Sequence, residues 1–203
     1  LLALVPAFEG RLVPVATVVN VAVFACVLIG AGWTIRVQYG ILAVLALAVA
    51  SFAAGALGDF EPARLREHAM PAFREGESLV TMFALFFPAV TGIMAGANMS
   101  GDLKDPGRSI PRGTLAAIGV TAVVYLGLAV LLAGVADRET LIDDRMVMRD
   151  TALVPWLVTA GVFAATLSSA LASMMGSPRI LQAVARDNVL PVLRPFGRGI
   201  GRT

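Results

Sequence analysis

Two short stretches of this chain carry residue types suited to holding ions without a charged side chain. The first is Pro88-Ala89-Val90-Thr91-Gly92-Ile93-Met94. It lies inside the uncharged run Leu79 to Ala97, which is long enough to span a bilayer. Pro88 removes one backbone donor and clashes with the preceding turn, and Gly92 loosens the helix further. A spanning helix broken by proline and glycine is a sequence pointer to a transporter's substrate site. Carbonyls freed near Pro88, together with the Thr91 hydroxyl, are oxygen ligands for a desolvated cation. Gly92, Ile93 and Met94 would form the first turn of a second half-helix. Their amides lack intrahelical partners, and the positive dipole end there favours an anion such as chloride. A plain proline kink, its freed carbonyl satisfied by a neighbouring helix, explains the same residues and stays open.

The second stretch is Ala164-Ala165-Thr166-Leu167-Ser168-Ser169-Ala170-Leu171-Ala172-Ser173. Ala165, Ser168, Ser169, Ala172, Ser173 and Gly176 share one face at helical spacing. Hydroxyl and carbonyl oxygens there have the hardness a sodium ion needs. Close helix packing accounts for the same small residues, with the serine protons bonded one turn back. The residues alone favour packing. Between the two stretches, Asp102 and Asp105 read as part of a solvated, helix-ending loop more than as a cation pair. Cys26 reads as a small core residue and His68 as a solvated loop side chain.

Spanning helices must position both stretches. The chain is 58% hydrophobic and 15% charged, against about 45–50% and about 25% in soluble domains. Its mean hydropathy is +0.82. These values identify an all-α integral membrane protein of the multi-pass type. Five apolar runs of spanning length are read at about 12–33, 40–57, 79–97, 114–135 and 153–175, followed by a cytoplasmic tail at 177–203. The whole of 1–203 reads as one incomplete transmembrane domain, cut from a longer protein. The net charge of +2 is small and its basic residues are scattered, so nucleic acid is excluded as a partner. With the loop near Lys104 and the tail inside, the basic residues divide 9 inside against 7 outside, a lean and no more. Lys104 is the only Lys beside fifteen Arg, a bias that points to a GC-rich bacterial genome and a bacterial inner membrane. No transition-metal spacing, phosphate loop or nucleophile–base set is visible, so no enzyme and no cofactor are expected.

From Phe86 to Leu103 the sequence resembles the cation–chloride cotransporter family, in its sodium-coupled branch. The likeness continues through Asp105-Pro106, Ser109-Ile110-Pro111 and Gly113-Thr114-Leu115. It returns at Ala165 to Ser173 and from Ser177-Pro178-Arg179 to Arg186-Asp187-Asn188. The resemblance implies a LeuT-like inverted-repeat fold with one discontinuous helix, of which the five runs are the fourth to eighth of twelve helices. It also implies the orientation stated above. It assigns potassium to Pro88 and Thr91, chloride to Gly92, Ile93 and Met94, and sodium to Ala165, Ser168 and Ser169. The sodium-independent branch lacks the serine pair, so Ser168 and Ser169 imply coupling to sodium.

The expected function is therefore a symporter of sodium, with or without potassium, and chloride, working by alternating access. Helices that complete every site in that family fall outside the five runs, so this stretch is expected to be inactive alone. An amino acid permease of the same superfamily and a non-transporting membrane scaffold subunit are the alternatives. The expected partners are inorganic ions, the lipid bilayer and the remaining helices of a full-length chain, with a homodimer left open.

Overall fold

The computed structural model describes residues 12–73, 76–90, 92–98 and 100–197. Thr91, one of the two residues expected at a potassium site, lies outside them. The described residues form helices and turns with no strand.

The helix α1 covers Leu12–Ile29, and α2 covers Ala31–Gly58. Gly30 separates them with φ +128°, a left-handed value that a side chain would strain. The apolar runs at 12–33 and 40–57 are thereby corrected. Residues 31–33, read as the end of the first run, and 34–39, read as the gap between runs, are the first turns of α2, although Arg36 and Gln38 fall among them. Hydropathy misses this because helical hydrogen bonding ignores side-chain polarity. The buried Thr34 hydroxyl helps close the corner by donating to the Gly30 carbonyl at 3.1 Å.

The short helix α3 covers Pro62–Glu67, and α4 covers Leu79–Phe86. Ser78 caps α4 by accepting from the Thr81 amide at 3.3 Å. A 3₁₀ turn at Phe87–Val90 follows, then Gly92 at φ +105°, then a turn into α5, Ala95–Asn98. The spanning run at 79–97 is therefore broken where proline and glycine predict. Its second half differs from expectation, because Gly92, Ile93 and Met94 form a turn ahead of α5 instead of its first turn. With positive φ at Gly92, the chain cannot pass directly from the 3₁₀ turn into right-handed helix.

The helix α6 covers Pro106–Val135, α7 covers Arg138–Asp143, α8 covers Val147–Thr151 and α9 covers Pro155–Arg186. Asp105 caps α6, accepting from the Arg108 amide at 3.2 Å, and Pro106 occupies the first helical position. The helix thus starts ahead of the run read from Thr114. Of the stretch read as the tail, 177–203, residues 198–203 lie outside the described residues, and the described part is largely helical. α9 continues through Pro178 to Arg186, and a 3₁₀ segment, Pro191–Gly197, folds back on it. Arg186 Nε donates to the Gly197 carbonyl at 3.2 Å, and Arg194 Nε donates to Asn188 Oδ1 at 2.7 Å.

The core is the pair α2 and α9, which run antiparallel. Gln38 meets Ser168, Ala48 meets Gly161, and Ser51 meets Val154. One apolar cluster joins Val23, Ile41 and Leu171 from α1, α2 and α9. A second joins Phe52, Ala56 and Ala152, with Leu128 and Leu132 of α6 against it. Ser51 accepts from the Val154 amide at 2.8 Å, capping the start of α9 from another helix. Among the described residues, three helices are long and apolar enough to cross a membrane: Gly32–Gly58, Pro106–Val135 and Pro155–Arg186. Two shorter apolar helices stand beside them. Large apolar side chains such as Leu115, Val123 and Leu126 point outward from α6, which suits lipid or further helices.

His68 is corrected too. It is half-buried against the end of α6, where its Nδ1 donates to the Ala133 carbonyl at 2.8 Å. The Glu61 amide reaches the Gly134 carbonyl at 2.9 Å, and Arg64 reaches the Val135 carbonyl. The last carbonyls of a helix have no partners within it, and this loop supplies three donors to them.

Gly55 lets α2 approach the chain entering α9. A methyl there would lie 2.0 Å from the Thr151 carbonyl oxygen and 2.8 Å from the Leu153 amide nitrogen. Neither atom can rotate away, so Gly55→Ala should cost about 1–3 kcal/mol. It should lower the apparent melting temperature of the full-length protein in detergent, whereas Gly32→Ala, which meets open space, should not. Equal melting points would remove the claim. Gly92→Ala also meets open space, so its cost would be backbone strain alone, about 1–3 kcal/mol. The same assay should rank it clearly below Gly96→Ala, and identical behaviour of the two would argue against the left-handed break.

Candidate functional site

The break between α4 and α5 faces the small-residue stripe of α9. Gly92 and Met94 from the break, and Ala165, Ser168 and Ser169 from α9, line one cavity of about 770 Å³. Ala172, Ser173 and Gly176 continue the α9 wall, so the whole stripe read from helical spacing borders this space. α2, packed beside α9, also lines it through Ile35, Gln38, Tyr39 and Leu42. Asn98 of α5 closes on Gly176, whose missing side chain leaves room for it. A methyl there would sit 2.9 Å from Asn98 Nδ2.

Ile93 points elsewhere. It lines a second cavity of about 550 Å³ against α6, with Ala89, Gly113, Thr114, Thr121 and Tyr125. Gly92 borders both cavities. The three residues expected at a chloride site therefore straddle the two spaces. α5 has four residues, too few aligned peptides for a long helix's dipole. Any anion at the break would depend on the local amides of Gly92, Ile93 and Met94.

Pro88 sits exposed in the 3₁₀ turn and lines neither cavity. Beside it, the Tyr125 hydroxyl donates to the Ala89 carbonyl at 3.3 Å, and the Tyr125 ring stands edge-on to Phe86 at 5.6 Å. One carbonyl freed by the break is thus taken by a neighbouring helix, as the plain-kink explanation requires. Along α9, packing and open space occur together. Gly161 and Gly176 admit close packing, while Ser168 and Ser169 border open space.

Among the described residues, no carboxylate, imidazole or basic side chain lines either cavity. Ions there would meet hydroxyls, amides and carbonyls. The shifted acid–base groups lie outside the spans. The Thr140 hydroxyl beside Asp137 holds its carboxyl below the usual range, and the Asp150 carboxylate bonded to Arg149 raises its guanidinium.

Sequence reasoning missed Gln38, which reads as a loop residue between two apolar runs. Its Nε2 donates to the Ser168 carbonyl at 3.2 Å, and the Ser168 hydroxyl donates to its Oε1 at 2.6 Å. A signal was present, because Ile35, Gln38, Tyr39, Leu42 and Leu45 repeat at helical spacing across the supposed gap.

A family model for amino acid permeases matches residues 4–203. Solute carrier family 12 member 8 of Mus musculus is 37% identical over 196 residues, covering 92% of this chain and 28% of that protein. Solute carrier family 12 member 2 of Squalus acanthias is 35% identical over 240 residues, covering 93% and 20%. Solute carrier family 12 member 1 of Mus musculus is 33% identical over 222 residues, covering 85% and 20%. The chain spans less than a third of the length of these relatives. Its apolar helices and the extent of the family match make it a multi-pass integral membrane protein. It belongs to the amino acid permease family.

Proposed function

We propose that this chain is part of a secondary active symporter that moves sodium together with chloride by alternating access. The observation that carries the reading is the shared cavity, where Gly92 and Met94 of the broken helix face Ala165, Ser168 and Ser169 of α9. Ser168 and Ser169 would give hydroxyl oxygens to sodium, and Ala165 its carbonyl. Such oxygens suit a hard monovalent cation without adding fixed charge. The amides of Gly92, Ile93 and Met94 would hold chloride. Potassium would be held near Pro88 and Thr91, if it is carried. An ion gradient would supply the energy, with no covalent step and no resident cofactor.

The proposed fold is LeuT-like, with the spans seen here as its fourth to eighth helices. In such folds irregular backbone at membrane depth is tolerated where it lines a cavity. Helices outside this chain would complete each site, so transport is expected of the full-length protein and not of residues 1–203 alone. The similarity to solute carrier family 12 members over most of the chain supports the reading. The arginine bias favours the inner membrane of a bacterium as the setting.

A second reading is an amino acid permease, favoured by the family model that matches nearly the whole chain. There the break would bind the backbone groups of an amino acid.

Uptake by the full-length protein in liposomes separates the two. Sodium uptake that requires external chloride is expected, and rubidium moving with it would place potassium in the cycle. Chloride-independent uptake of a labelled amino acid would establish the permease instead. Within the symport reading, Ser168→Ala should raise the sodium half-saturation roughly tenfold, the scale of one lost contact to a charge, and should raise that for chloride less. An unchanged sodium requirement would sink the Ser168 assignment.

A further inference from the structure

Gln38 grips Ser168 at two points. The Ser168 carbonyl can only accept, so the amide nitrogen of Gln38 must face it. The amide oxygen then faces the Ser168 hydroxyl, which must donate. Direction in this pair is therefore fixed by chemistry. Both residues are half-buried and both line the larger cavity.

Two other hydroxyls on α9 send their protons one turn back along their own helix. Thr166 donates to the Val162 carbonyl at 2.5 Å, and Ser177 to the Ser173 carbonyl at 2.9 Å. Ser168 departs from this pattern, because its proton crosses to α2. A hydroxyl oxygen has one proton and two lone pairs. With the proton committed to Gln38, both lone pairs stay available, and the end of the O–H bond that repels a cation is turned towards Gln38. The rotamer is also held before any ion arrives, which lowers the ordering cost of binding.

We propose that Gln38 is a positioning residue for sodium, holding the Ser168 hydroxyl so that its oxygen is presented to the cation. The inference rests on the reading of Ser168 as a sodium ligand. Gln38 itself need not touch the ion.

The test uses the full-length transporter in liposomes, with sodium and chloride half-saturation measured separately. Gln38→Met keeps the length of the side chain and removes both hydrogen bonds. It should raise the sodium half-saturation about fivefold, the scale of a lost hydrogen bond, and leave that for chloride nearly unchanged. In a Ser168→Ala background the same change should add little, because residues acting through one contact are not additive. Gln38→Glu keeps an acceptor for the hydroxyl and should leave the sodium half-saturation at or below that of the wild type. It also serves as the second variant if Gln38→Met does not fold. Equal shifts for sodium and chloride, full additivity with Ser168→Ala, or a Gln38→Glu variant as weak for sodium as Ser168→Ala would each overturn the inference and leave the symport reading standing. Wild-type flux that needs no sodium would overturn the symport reading, and this inference with it.

Discussion

Backbone hydrogen bonding away from water is the constraint on which this structure depends. An unpaired amide or carbonyl in hydrocarbon costs several kcal/mol, so each break in a helix must be covered by another element. The cases seen here follow that rule from different directions. Ser51 of α2 caps the amide of Val154 ahead of α9. Glu61, Arg64 and His68 serve the last carbonyls of α6. Tyr125 takes the Ala89 carbonyl released at the broken helix. In each case the covering group is distant in sequence, so the break and its cover form only when the helices assemble. Local structure and packing are therefore one event here.

The α2–α9 pair converts that rule into a scaffold. Gly161 lets Ala48 come close, and Gly55 lets α2 touch the backbone entering α9. Without a hydrophobic drive between helices in lipid, such close approach and a few interhelical hydrogen bonds supply the association. At one end the pair closes over Phe52 and Ala56, which are fully buried. Further along, the α9 face is mostly Ala, Ser and Gly, with Met175 the exception among the described lining residues, and the short side chains leave space facing the break. The cavity is thus a consequence of residue size on one stripe. Ser168 lies where packing gives way to cavity, which is why it can serve as an interhelical contact and border open space together.

How much of this was legible follows from what hydropathy and spacing measure. The break at Pro88 and Gly92 and the stripe from Ala165 to Gly176 were readable, because proline chemistry and helical periodicity are local properties. The turn made by Gly92, Ile93 and Met94 was not, since the positive φ of Gly92 postpones α5 to Ala95. Gln38 and Arg36 fall between the apolar runs because a hydropathy window averages all faces of a helix, while only some faces meet lipid. His68 reads as a solvated residue because nothing near it in sequence announces the carbonyls of α6, which lie some sixty-five residues away. The helix past Pro178 was missed because polarity rose there. Polarity marks the end of an apolar span and does not mark the end of a helix.

The chemistry of the two cavities bears on how a cation and an anion could be coupled. Among the described residues, neither is lined by a charged side chain, so under the proposed symport either ion alone would enter without a described fixed charge to compensate it. In a low-dielectric surrounding that imbalance is expensive, and the attraction between opposite charges is correspondingly large. Gly92 borders both spaces, so the two spaces meet at the break. Under the proposed symport, each ion would offset part of the desolvation cost of the other. A site built from dipoles instead of carboxylates then has a functional consequence. A fixed negative charge would bind sodium without help and weaken its dependence on chloride. Were Ser168 and Ser169 neutral ligands, as the proposed symport has them, they would leave the counter-ion to complete the balance, and coupling would follow from that incompleteness.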